Sequence, residues 1–185
     1  MKKRYLETAA WVVLLRITDL LLTRIYTPNL ASEWNPIISR LGASWPGFIA
    51  VQILITGTVI ILGWFYFYGK RPEVNLKGLN VSDFVYCFFY GKLKPWPRRL
   101  FSLPRNAGPH LIFNGFVLIA VSIGISLFAI ANNLLLIFDA DWYRRFLEKS
   151  HNLFFPVVIL LIVYAAAMAF FWKEYCGYLE KGRPA

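Results

Sequence analysis

The polar residues inside the first apolar stretch are the ones whose types and spacing allow chemistry. Arg16 and Asp19 lie three residues apart and Thr23 follows four residues later, so all three share one stripe of a helix. One interpretation is an ion pair between Arg16 and Asp19, neutral as a unit and turned toward other helices. The other is that Asp19 faces a cavity and carries a proton, a cation or a substrate contact. The spacing favours the ion pair and leaves the second interpretation open.

Further polar residues are expected in the same half of the molecule, on helices and in the loops between them. Their oxygens, with one imidazole, suit a hard or borderline cation, but no diagnostic ligand spacing such as HExxH joins them. Because side-chain amides hold membrane helices together, a hydrogen-bonded network that orients the loops is favoured, and no metal site is predicted. The residues are Asp19, Thr23, Glu33, Asn35, Gln52, Thr56, Asn132, Asn133, Asp139, Asp141, His151 and Asn152.

Catalytic motifs are absent from the sequence, which lacks a GxSxG turn, a Walker glycine loop and paired helical histidines. Haem is rejected because His110 and His151 are expected at opposite membrane surfaces, about 30 Å apart. Ser122 and Ser126 have no nearby histidine and are expected to hydrogen-bond within or between helices. The sequence therefore predicts no catalytic residue and no cofactor.

The composition requires membrane helices to position these residues. Of the 185 residues, 58% are hydrophobic and only 16% are charged, whereas a soluble domain is about half apolar and about a quarter charged. This balance excludes a soluble enzyme, a disordered tail and a disulfide-stapled secreted domain. It predicts an all-α integral membrane four-helix bundle, a single domain over residues 1–185. The predicted spans are about 7–27, 46–68, 110–133 and 153–172.

The basic residues predict the orientation of the chain. Twenty Lys and Arg against ten Asp and Glu give a net charge of +10. With the N-terminus inside, fourteen cations fall on the cytoplasmic side and four on the outer side, so both termini are predicted to be cytoplasmic. The excess of cations on the cytoplasmic side accounts for the net positive charge, so binding to nucleic acid is not needed to explain it. The expected location is the bacterial cytoplasmic membrane.

The basic loop, residues 69–108, is the largest segment between spans. Asn80 or Ser82 is expected to cap a short aromatic helix that lies at the membrane interface. The cations behind it are expected to contact anionic headgroups of the inner leaflet, with docking of a cytoplasmic partner as the alternative. The residues of this predicted contact are Lys92, Lys94, Trp96, Arg98, Arg99 and Arg105.

A resemblance is carried by the first half of the chain. Its elements are Asp19-x-x-x-Thr23, then Glu33-x-Asn35-Pro36, then a helix with the central polar residue Gln52. This pattern resembles a group of small, uncharacterised prokaryotic membrane proteins with an Asp-x-x-x-Thr helix followed by a Glu-x-Asn-Pro turn. The resemblance covers about residues 12–60. It implies a similar scaffold and carries no activity over.

Together these observations predict a non-enzymatic accessory or scaffolding subunit of a larger membrane complex. The alanines at 165–167 and 169 suit close helix contact. The alternative is a small oligomeric transporter or channel in which Glu33 and Asn35 assist Asp19. An intramembrane enzyme that uses Asp19 is a less favoured form of this alternative. The expected partners are membrane lipids, including anionic headgroups, and another protein or a second copy of the chain. Nucleic acid is not expected.

Overall fold

The structure is a computed structural model that describes residues 2–30, 44–95, 98 and 106–181. Within these residues the only regular elements are five helices, and no strand occurs. They are α1 (Lys2–Tyr26), α2 (Trp45–Tyr68), α3 (Val81–Tyr90), α4 (Gly108–Ile137) and α5 (Asp141–Lys181). The prediction of an all-α chain is confirmed.

Three helical segments are long and apolar enough to cross a membrane. They are Trp45–Tyr68, Gly108–Ile137 and Leu153–Glu180. They correspond to the predicted second, third and fourth spans. Helix α1 is not among them, because Arg16, Asp19 and Arg24 interrupt its apolar sequence. The three segments indicate a membrane protein.

Helix α4 is the packing element that the other long helices share. Helices α1, α2 and α5 each lie along it. Helix α2 runs antiparallel to α4, because Gly63 lies against Ile119 whereas Gly69, which follows α2, lies against Ile112. Gly115 of α4 lies against Leu62. A Cβ atom at Gly115 would clash with the Leu62 carbonyl oxygen and lie 3.0 Å from the carbonyl carbon. Glycine at this position therefore sets how closely α2 and α4 approach.

Helix α5 also runs antiparallel to α4 and is longer than its predicted span. Phe113, near the start of α4, stacks on Phe171 with ring centroids 5.2 Å apart, and Phe128 meets Phe154 at 5.7 Å. The helix has 41 residues and contains Pro156. Membrane helices tolerate an internal proline because neighbouring groups satisfy the freed carbonyl. Residues 141–152, expected beyond the predicted span, therefore extend α5 as helix.

The short helix α3 closes the basic end, defined as the end where α1 and α4 begin and α2 and α5 finish. Of the two predicted caps, Asn80 is the one used: its side-chain oxygen accepts a hydrogen bond from the Asp83 N–H at 2.8 Å. Phe84 and Phe88 are each 3% exposed and join a core with Phe170 of α5. These two rings pack inside the protein, where burial of apolar area holds α3 to the bundle.

At the opposite end, α1 and α2 are fastened together by polar contacts on one carbonyl. The Trp45 indole N–H and the Arg24 guanidinium each donate a hydrogen bond to the Pro28 carbonyl oxygen at 2.6 Å. The Arg24 guanidinium also lies 4.8 Å from the centre of the Trp45 ring. These contacts fix the end of α1 against the start of α2.

Replacing Gly115 tests the packing of α2 on α4. We expect Gly115→Ala to lower the free energy of unfolding by about 1–3 kcal/mol, the usual effect of overpacking, because the obstructing atoms belong to the Leu62 backbone. Gly57→Ala is the matched control, since a Cβ atom there meets nothing within 4 Å and alanine is the better helix former. Thermal unfolding in detergent measures both. Equal melting temperatures for the two variants would contradict this packing.

Candidate functional site

The candidate site begins with an ion pair inside the bundle. Arg16 Nη1 lies 3.4 Å from Asp19 Oδ2, and the two side chains are only 12% and 13% exposed. The predicted spacing of three residues thus places the two charges together on the inward face of α1. Removal from water penalises each charge separately, and the pair offsets that penalty only while both members are present.

Helix α4 supplies further partners for these charges. Arg16 Nη2 donates to the Ser122 hydroxyl at 3.4 Å. The Asn133 amide donates to the Thr23 hydroxyl at 3.1 Å and to Asp19 Oδ1 at 3.5 Å. The stripe of Arg16, Asp19 and Thr23 therefore faces α4 along about two turns of helix.

The hydrogen bonds continue from α4 to the start of α5. Asn132 donates to the Asn133 side-chain oxygen at 3.3 Å, and the Tyr143 hydroxyl donates to the Asn132 oxygen at 2.6 Å. Burial raises the pKa of the Tyr143 phenol, which keeps it protonated as a donor. One network, the polar core, thus joins α1, α4 and α5. It comprises Arg16, Asp19, Thr23, Ser122, Asn132, Asn133 and Tyr143.

Several buried polar atoms close to this core have no hydrogen-bond partner among the described residues. Ser126 is 1% exposed and Gln52 is 6% exposed. The unpartnered atoms at this depth are Arg16 Nε, Gln52 Oε1, Thr56 Oγ1 and Ser126 Oγ. Buried polar atoms of this kind are few in proteins, and each calls for an explanation.

The register of α2 against α4 places these atoms near the ion pair. Ser126 lies seven residues after Ile119 and Thr56 lies seven residues before Gly63, so both are two turns from the same interhelical contact. Ser126 is also one turn beyond Ser122, the partner of Arg16. The spare hydrogen-bonding capacity therefore lies at the depth of Arg16 and Asp19.

Only part of the predicted set is in the described chain. The structure brings Arg16, Asp19 and Thr23 together with Asn133 and buries Gln52 on α2. In the basic loop, Lys92 and Arg98 are exposed and Lys94 is half-buried. The predicted residues outside the described part are Glu33, Asn35, Trp96, Arg99 and Arg105.

A second polar cluster, at the basic end, was not predicted. Arg71 donates to the Tyr66 carbonyl oxygen at 2.6 Å and lies 3.5 Å from the Glu174 carboxylate. The Lys173 ammonium hydrogen-bonds the Tyr66 hydroxyl, and both cations lie over the Tyr66 ring, Arg71 at 5.0 Å and Lys173 at 5.2 Å. In the sequence, Glu174 lies just beyond the predicted span 153–172 and beside Lys173, and no spacing indicates Arg71 as its partner.

Among the described residues, no group of three or more His, Cys, Asp and Glu is placed to hold a metal ion. The His110 ring lies 4.7 Å from the Phe89 ring, and its Nε2 has no partner in the described chain. The polar core is thus an ion pair with amide and hydroxyl partners, suited to holding helices together or to passing a proton along them.

Removing one member of the ion pair tests whether the other depends on it. We expect Asp19→Ala to lower the free energy of unfolding by about 3–5 kcal/mol, because it leaves the Arg16 charge buried without its partner. The double variant Arg16→Met, Asp19→Leu removes both charges and should recover most of that loss. Thermal unfolding in detergent compares the two. A double variant no more stable than the single one would contradict the mutual dependence of the two charges.

Comparison of the chain with protein-family models, with curated proteins and with solved structures finds no match. The resemblance carried by Asp19, Thr23 and the Glu33-x-Asn35-Pro36 segment therefore stays a prediction. The function is inferred from the geometry of the polar core and from the exposed surfaces of the helices.

Proposed function

We propose that this chain is a four-span integral membrane protein that acts as a non-enzymatic accessory or scaffolding subunit of a larger membrane complex. The observation that carries this proposal is the apolar surface of α5. Large apolar side chains remain exposed along the whole span, from Leu153 at 72% to Trp172 at 65%. Because α5 packs along α4 and meets α3 only at the basic end, its remaining faces are open to lipid and to another helix.

The fourth span in this proposal is α1. Its charged pair turns toward α4, and the opposite face carries exposed apolar side chains. These are Trp11, Leu14, Ile17, Leu21 and Ile25. A helix with this distribution suits the bilayer, because its charges are paired inside the protein and its outward face is hydrocarbon.

The orientation in this proposal follows the positive charges. Most cations of the described chain lie at the basic end, which we assign to the cytoplasm: on the first turn of α1, after α2, and around α3, whereas Arg24, Arg144, Arg145 and Lys149 lie at the opposite end. The exposed cations Lys92 and Arg98 then lie near the inner leaflet, where each cation contributes about 1 kcal/mol of attraction to anionic lipid. The bacterial cytoplasmic membrane is the proposed location.

The face of α5 that would receive a partner helix contains small residues. Ala165 and Ala169 are exposed one turn apart, whereas Ala166 is 6% exposed and packs inside the bundle. Small side chains allow two helix backbones to approach closely, which is how membrane helices gain van der Waals contact. A partner protein or a second copy of the chain suits this face equally well.

Enlarging these alanines tests the accessory role. We expect the wild-type protein to co-migrate with a partner or with a second copy in mild detergent. The double variant Ala165→Leu, Ala169→Leu should lose most of that association, because leucine holds the helices apart. Ala10→Leu, at an exposed position on α1, is the matched control and should retain it. A wild-type chain that purifies as a monomer from mild detergent would overturn the proposal.

A second function, transport of a small cation or proton by an oligomer, is favoured by one observation. Unpartnered buried atoms of Gln52, Thr56 and Ser126 lie at the depth of the Arg16–Asp19 pair. A proton pathway needs side chains with spare donor and acceptor capacity at membrane depth. This arrangement suits relay through Asp19.

Proton flux into proteoliposomes separates the two functions. Transport predicts faster flux through wild-type protein than through empty vesicles, and loss of that difference in Asp19→Asn. Glu7→Gln, an exposed acid on the same helix, is the control and should match the wild type. The accessory role predicts no flux in any of the three, with Asp19→Asn reducing only the yield of folded protein.

A further inference from the structure

A cleft of about 850 Å³ opens at the basic end, apart from the polar core. It lies between residues 70–78, which follow α2, and the last turns of α5, and Phe84 and Phe88 of α3 form part of its lining. The apolar run of α2 finishes at Tyr68, and that of α5 finishes at Trp172, just before Lys173 and Glu174. The cleft therefore lies where the hydrocarbon layer gives way to headgroups.

Hydrogen bonds to α5 hold the wall of this cleft in place. The Tyr178 hydroxyl accepts from the Leu79 N–H at 3.0 Å and donates to the Leu76 carbonyl at 2.8 Å. The Tyr175 hydroxyl donates to the Leu79 carbonyl at 3.0 Å. Gly78, with φ of +72°, provides the turn between them. A wall fixed in this way needs no ordering when a ligand binds, which favours affinity.

Charged side chains form part of the lining of the cleft. Lys70, Arg71 and Lys77 line it together with two acids, Glu73 and Glu174. Arg71 is paired with Glu174 at 3.5 Å. Lys70 and Lys77 are exposed and form no ion pair with any residue that the structure describes.

Apolar side chains also line the cleft. Phe84 and Phe88 are each 3% exposed, and Leu76 and Leu179 present exposed apolar surface. A ligand that satisfies both parts carries a negative charge at one end and hydrocarbon at the other.

We propose that this cleft binds the headgroup of an anionic phospholipid. The lipid phosphate lies against Lys70 and Lys77, and the first acyl carbons lie against the apolar lining. Position favours a lipid over a soluble phosphate compound, because the cleft opens at the headgroup level beside a span whose surface is apolar. This inference goes beyond the scaffold role and does not depend on it, since lipid binding is measured on the chain alone.

Native mass spectrometry of delipidated protein in detergent tests the site. We expect phosphatidylglycerol to bind more tightly than phosphatidylcholine. The double variant Lys70→Gln, Lys77→Gln should weaken phosphatidylglycerol binding by about thirtyfold, because each cation near an anionic headgroup contributes about 1 kcal/mol. The matched control Lys2→Gln, Arg4→Gln removes the same charge from exposed positions at the same end and should leave binding nearly unchanged. If both double variants lost the same affinity for phosphatidylglycerol, the attraction would come from surface charge in general, and the proposed site would be wrong.

A second variant fills the cleft without changing its charge. A Cβ atom at Gly177, in the lining, meets nothing within 4 Å, so Gly177→Leu should fold normally and displace the lipid. Phosphatidylglycerol binding to Gly177→Leu at the wild-type affinity would overturn the proposal. Inorganic phosphate alone is the last probe: release of the bound lipid by millimolar phosphate would show a soluble phosphate site and overturn the assignment to lipid.

Discussion

The close approach of three helices to α4 is the constraint on which the rest of this fold depends. At Gly115 the backbone of α2 occupies the space of a side chain, and at Gly124 the Ile162 side chain of α5 would lie 2.7 Å from a Cβ atom. Between apolar helices in lipid there is little hydrophobic gain from association, so van der Waals contact and hydrogen bonds decide the geometry. Small residues on α4 permit the van der Waals contact, and its serines and asparagines supply the hydrogen bonds.

The third neighbour, α1, depends on α4 for a different reason. Burial of Arg16 and Asp19 in an apolar environment costs free energy unless the two charges are paired and hydrogen-bonded. Ser122 and Asn133 of α4 provide those hydrogen bonds. The outward face of α1 is apolar, so the helix is compatible with lipid only in the rotation that turns these charges toward α4. The polar residues thus specify how α1 is oriented in the bundle.

The sequence predicted what depends on local spacing. The Arg16–Asp19 pair follows from residues three apart on a helix, and a cap at Asn80 or Ser82 follows from their place at the start of an aromatic segment, with Asn80 the one the structure uses. Contacts between distant segments were beyond such reasoning. The pairing of Arg71 with Glu174 requires the end of α2 to meet the end of α5, and the burial of Phe84 requires α3 to fold against the bundle.

The length of α5 also departed from the sequence prediction, for a local reason. Pro156 and the polar residues before it are typical of an irregular segment, whereas the helix continues through them. A proline removes one backbone donor and disfavours helix in the turn before it, but it does not forbid helix when the flanking turns are well formed. The spacing of apolar residues therefore located the membrane-spanning part of α5 and missed its extension.

That extension makes α5 a rod about 60 Å long, roughly twice the thickness of the hydrocarbon layer. Tyr143 lies near one end and Tyr178 near the other, so the polar core and the cleft are attached to the same lever. A tilt of only about 5° displaces one end of such a rod by about 5 Å relative to the other. A rigid tilt of α5 would therefore move the polar core and the cleft together.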